Sequence, residues 1–166
     1  MENRYQTGGA RFLAGILDGF VFMPFNLLDE WLSSSITHEL ALASWVALSF
    51  QVYWLYSVIL HKKYGQTLGK MVMKIHVVDV SETKGLSYRQ SFLRDSVYIG
   101  INVVTMFYYL FHTLTDSYTE DRADTIGLAI SLGSLFWFGL EIITMLTNSK
   151  RRALHDYIAG TVVIKQ

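Results

Sequence analysis

The sequence contains no cysteine, which excludes disulfides, thiolate metal centres and cysteine nucleophiles. Charge is scarce as well: 17% of residues are Asp, Glu, Lys or Arg, where soluble domains carry about 25%. Proline occurs once, at position 24, so little interrupts long helices, although Pro24 is placed to kink the first apolar run. Catalytic signatures are missing too. The histidines at 38, 61, 76, 112 and 155 show no HExxH or other metal spacing, and there is no GxSxG, Walker loop or dinucleotide fingerprint. We expect no enzyme, no cofactor and no metal site. The basic residues follow no nucleic-acid motif, which leaves nucleic acid out as a partner.

What the chain does have is apolar length. Of its 166 residues, 51% are apolar, gathered in four blocks at 12–28, 40–60, 97–114 and 126–147. Each approaches the roughly 20 residues that cross about 30 Å of hydrocarbon. A soluble bundle would show polar stripes at helical spacing, whereas Leu40 to Leu60 holds only scattered Ser and one Gln. The expected fold is an all-α membrane protein of four transmembrane helices, one domain over 1–166. The first block contains Arg11 and Asp18 and lacks a preceding basic run, so it is read as a span and not as a cleaved leader.

With the amino terminus inside, every Lys and Arg except Arg122 falls on the inner side, in 61–96, in 148–166 or near the first span. The outer loops hold Asp29, Glu30, Glu39, Asp116, Glu120, Asp121 and Asp124 instead. The excess of inner cations places both termini in the cytoplasm.

Two acids lie inside the apolar blocks. A central Asp costs about 2.5 to 3.5 kcal/mol on insertion scales, so Asp18 should turn away from lipid, toward the bundle, a partner or water. Glu141 sits at a comparable depth from the inner boundary. Asn102 and Thr105 of the third span and Thr144 of the fourth share that level, and with the two acids they form a candidate set of oxygen ligands for a cation, or hold a shared proton. The alternative for Asp18 is an ion pair with Arg11 or another inner cation. For Glu141 it is a snorkelling contact with Lys150 to Arg152. The spacings of Gly15 with Gly19 and of Ala129 with Gly133 suggest close helix approach.

Residues 64–80 and 151–166 follow the second and fourth spans with a common pattern, a polar start, a short helical turn and a β-branched run. A shift of 86 residues carries Leu68 onto Leu154, Lys70 onto Asp156 and Val77 onto Val163. This spacing suggests a parallel repeat about an axis normal to the membrane. Ile75 to Val80 and Thr161 to Lys165 should pair as a small cytoplasmic β-ribbon. Tyr88 to Ser96 reads as an interfacial helix with Arg89 and Arg94 toward lipid phosphates.

These residues carry a resemblance. An Arg opening the first span, an Asp within it, GQTLGK after the second span and RRALHDYIAGT near the end resemble the RDD family of small bacterial membrane proteins, over nearly the whole chain. The resemblance implies that Arg11 is the family's Arg, Asp18 its first Asp and Asp156 its second. It also implies a cytoplasmic-membrane location and, from some relatives, cation/proton antiport. Tyr157 stands where family members commonly carry a basic residue.

The leading functional expectation is a small secondary transporter exchanging a monovalent cation for protons across the bilayer, with Asp18 as carrier, Glu141 assisting and a homo-oligomer completing the path. Lys70, His155 and Asp156 would form an inner-face latch. The alternative is a non-transporting adaptor that binds a partner protein or anionic lipid through the basic inner segment.

Overall fold

The computed structural model describes residues 2–115 and 120–166. Asp116, and the side chains of His112, Glu120, Asp121, Arg122 and Asp124, lie outside the described residues. A 3-10 turn, Glu2–Tyr5, leads into α1 (Gly8–Ser35), α2 (Glu39–Tyr64), α3 (Leu68–Val72), β1 (Ile75–Asp79), α4 (Tyr88–Thr115), α5 (Glu120–Thr147), α6 (Leu154–Ala159) and β2 (Thr161–Lys165).

The molecule is mostly helical. Among the described residues, three helices are long and apolar enough to cross a membrane, α1, α2 and α5. Their apolar side chains point outward: Phe20 is 65% exposed, Leu48 65% and Phe136 70%, the reverse of a soluble bundle and the arrangement that lipid favours. The fourth expected span, 97–114, is the distal part of α4, which packs along α2. The expected interfacial helix over Tyr88 to Ser96 is not a separate element. Ser87 Oγ accepts from Gln90 N–H while Gln90 Oε1 accepts from Ser87 N–H, a capping box that starts a helix. Nothing after it stops that helix before Thr115.

The β-ribbon forms as the Val and Ile runs require. β1 and β2 pair antiparallel, with Val77 opposite Val163 at the centre of five pairs. That register bears on the repeat. Two equivalent antiparallel strands are two-fold symmetric only when equivalent residues face each other at the centre, and the shift of 86 carries Val77 onto Val163. The same shift carries Gly65 (φ 66) onto Arg151 (φ 51), and Lys74 (φ 54) onto Gly160 (φ 65). Four of the five left-handed positions thus fall into two matched pairs, Glu82 (φ 61) standing alone. Each half is two long helices, a short helix and a strand in the same order, and a local two-fold relates the two strands of the ribbon.

Gly65 closes α2 with its N–H on the His61 carbonyl, a left-handed stop that glycine adopts without strain. Its Cα also faces the His76 ring and the Val77 carbonyl, leaving no room for a Cβ. The turn sends α3 back beneath the long helices. There Ala14, Ile75, Val77, Leu86 and Val163 form a dry cluster, each large side chain contributing about 1.5–3 kcal/mol. Tyr5, Arg4 and Lys150 converge on Glu82 beside this cluster, so the first residues and the carboxy-terminal strand lie at one end of the bundle.

Candidate functional site

Asp18 is buried in α1, and its carboxylate is fully engaged. Oδ1 accepts from the Tyr56 hydroxyl at 2.8 Å and from Gly69 N–H at 2.8 Å, while Oδ2 accepts from the Thr67 hydroxyl at 2.6 Å. Gly69 lies in the first turn of α3, whose N–H groups have no partner within the helix. A carboxylate from another helix thus caps α3 and meets the positive end of its dipole. The close approach requires glycine, because a Cβ on Gly69 would overlap the Ala14 carbonyl and the Asp18 carboxyl. Among the described residues no cation is bonded to Asp18, so the alternative pairing with Arg11 is not what is found.

Arg11 pairs with Asp156 instead. Asp156 Oδ2 accepts from Arg11 Nη1 at 2.6 Å and from Ala153 N–H at 3.0 Å. Its Oδ1 accepts from Arg94 Nη1 at 2.5 Å and from the Thr161 hydroxyl at 3.0 Å. Burial alone would push this carboxyl up, but Arg94 and Arg11 hold it well below the usual carboxylate range. Arg94 is therefore not directed at lipid phosphates; it is buried at 5% exposure, because α4 runs on as one helix that carries it against α6.

Arg94 also donates from Nη2 to His155 Nε2 at 2.9 Å. A guanidinium has only donors, so Nε2 is the acceptor and the imidazole proton sits on Nδ1, directed at Glu141 Oε1 in a very short contact. Glu141 is thus bonded to His155, not to Lys150, Arg151 or Arg152. Lys70 is not bonded to Asp156. Its Nζ lies 2.6 Å from His61 Nε2, and His61 Nδ1 lies 3.1 Å from the Ser57 hydroxyl. Loss of hydration, then the neighbouring Arg94, pulls the Lys70 amine down to about 7, against the opposing attraction of Asp95 and Asp18. The expected latch of Lys70, His155 and Asp156 is therefore two chains, Lys70 with His61 and Arg11–Asp156–Arg94 with His155.

These groups surround one cavity of about 670 Å³, whose wall includes Asp18, Lys70, Asp95, Asn102, Glu141 and His155. Thr105 and Thr144 do not line it; their hydroxyls bond to carbonyls of their own helices, Ile101 and Leu140. Asp95 was not among the candidates read from sequence, yet its Oδ2 is buried without a hydrogen-bond partner. A second cavity of about 340 Å³ follows along α1, lined by Gly19, Asn26 and Asp29 among others. Tyr53 and Asn102 line both. Among the described residues, no group of three or more His, Asp or Glu is arranged to hold a metal ion.

The family model described as RDD family matches residues 5–160, nearly the whole chain. The chain belongs to the RDD family. Neither a curated protein nor a solved structure matches this RDD chain. The signature Arg and Asp residues expected of an RDD protein divide into two structural units here: Arg11 with Asp156, and Asp18 with α3.

Residues missed from sequence are Arg94 as the second partner of Asp156, Asp95, and His61 with Thr67. The capping box at Ser87 and Gln90 was the available signal for Arg94 and Asp95, since it joins them to the third apolar block. Of the seven Lys and Arg of the basic inner segment 61–96, Lys70 and Arg94 are instead drawn into the bundle, and Lys62 donates to the Leu86 carbonyl.

Proposed function

We propose that this RDD protein is a small secondary transporter of the bacterial cytoplasmic membrane, with four spans and both termini inside, exchanging a monovalent cation for protons. The observation that carries the reading is the succession of two cavities along α1, sharing Tyr53 and Asn102, inside a bundle with apolar outer faces. Ionisable side chains such as Asp18, Asp95 and Glu141 are costly at that depth in a membrane and are retained where something polar must enter.

The charged groups at the first cavity suggest the division of labour. Asp18 accepts three hydrogen bonds and holds α3 in place, so it serves position more than exchange. Glu141, bonded to a single imidazole, and Asp95, with an unpartnered oxygen, are the acids free to exchange a proton for a cation.

The test is flux in proteoliposomes carrying an internal pH dye, with Na⁺ or K⁺ jumps. E141Q and D95N should each lower cation-driven proton flux at least tenfold. Flux that is absent in wild type, or indifferent to both substitutions, overturns the reading. Reconstitution at falling protein-to-lipid ratio reports whether a second copy is needed. The lack of cysteine makes topology direct to read: Thr37→Cys should label from outside and Lys165→Cys from inside.

A further inference from the structure

The first cavity is much larger than an alkali ion requires. Its roughly 670 Å³ falls within the 300–1,000 Å³ of pockets that enclose organic ligands. One part of its wall is apolar and aromatic, with Phe12 from α1, Phe138 and Ile142 from α5, and Tyr53, Trp54 and Tyr98 from α2 and α4. Helices α1 and α5 both line it, and the Met145 side chain lies over Gly8.

The charge balance sets the sign of the occupant. Asp18, Asp95, Glu141 and Asp156 are four carboxylates, against Arg11, Arg94 and Lys70. His155 is committed to Arg94 and Glu141. Both guanidiniums are spent on Asp156. One carboxylate is left in excess even with Lys70 charged, and Asp95 Oδ2, buried with no hydrogen-bond partner, marks where a counter-charge is missing.

From the volume, the aromatic wall and the unpartnered Asp95 oxygen, we infer that the cavity binds an amphipathic organic cation, its charge held by Asp95 and its apolar body against the aromatic side chains. Aromatic faces attract cations, most strongly where water is excluded, and a buried carboxylate without a partner gains the most from one. An anion of the same shape would face Asp95 and Glu141 with no free guanidinium. An acyl chain would fill the apolar wall but leave the acid as it was.

This inference rests on the transport reading and widens its cargo from alkali ions to organic cations. The test uses the purified full chain in detergent, with tetraphenylphosphonium as probe, tetraphenylborate as the matched anion and equilibrium dialysis as readout. Tetraphenylphosphonium should bind saturably, at least tenfold more weakly to D95N, and tetraphenylborate should not bind. If D95N does not fold, Tyr98→Leu carries the comparison, since it keeps apolar bulk and removes the ring. Absence of saturable binding, equal binding by wild type and variant, or preference for the anion overturns the inference. Cation-driven proton flux in a protein that does not bind tetraphenylphosphonium would overturn it while leaving the transport reading intact.

Discussion

Arg11 Nη1 lies 2.6 Å from Asp156 Oδ2, and Arg94 Nη1 lies 2.5 Å from the other oxygen of the same carboxylate. The first long helix of each half, α1 and α4, is thereby tied to the last short helix. One acid joins the two halves at the end where the ribbon sits. The repeat position of Asp156 is Lys70, which turns to His61 instead, so the two halves share a backbone plan and differ in charge.

Asp156→Asn should therefore destabilise the fold strongly. It keeps the shape but leaves two guanidiniums with little exposure opposite a neutral amide. Breaking a buried ion pair by removing one partner costs about 3–5 kcal/mol. Thermal unfolding in detergent should show a large drop in midpoint. An unchanged midpoint would mean that the carboxylate is not what holds α1 and α4 to α6.

The glycines separate two kinds of helix contact. Gly69→Ala should unfold or severely destabilise the protein, because the new Cβ would overlap the Ala14 carbonyl and the carboxyl that caps α3. Gly133→Ala, with nothing within 4 Å of its Cβ position, should be neutral or stabilising by about 0.5–1 kcal/mol, since alanine suits a helix interior better. Comparing the two unfolding midpoints checks both. Equal losses would contradict the close packing of α1 on α3.

Lys70 gives the stability a definite pH dependence. Its folded value is held down to about 7, whereas an unfolded lysine titrates near 10.4. Between these values the unfolded chain binds more protons, so this residue's contribution to stability rises with pH from about 7 to about 10. Lys70→Met removes the slope. The variant should be more stable than wild type near pH 6, by a margin that shrinks toward pH 10. Parallel midpoint curves for the two proteins would show that the amine is not depressed.

Composition made the apolar helices legible, and β-branched runs made the ribbon legible, because both depend on local sequence. The inward turn of Asp18 was legible from its insertion cost. Its partners were not: Thr67 precedes and Gly69 opens a short helix that reaches α1 only because Gly65 folds the chain back, and hydrophobic periodicity carries no trace of that turn. The extent of α4 was misread because its apolar block begins at Val97 while its capping box lies at Ser87 and Gln90. The spacings of Gly15 with Gly19 and of Gly133 with Ala129 suggested close helix contacts, yet those glycines face open space. Gly69, four residues from Gly65 but across the turn that ends α2, makes the close approach.

Tyr53 and Asn102 line both cavities, so under the proposed transport reading a cation moving along α1 passes between these side chains. Asn102→Trp should fill that boundary and cut cation-driven proton flux to a tenth or less, with the unfolding midpoint close to wild type, since the added ring enters existing space. Asn102→Ala removes the amide without adding bulk. If Asn102 acts as a wall, flux through the alanine variant stays near wild type or rises. If its amide instead binds the cation, both variants lose flux alike. Unimpeded flux through the tryptophan variant would show that cations do not pass between the cavities at all.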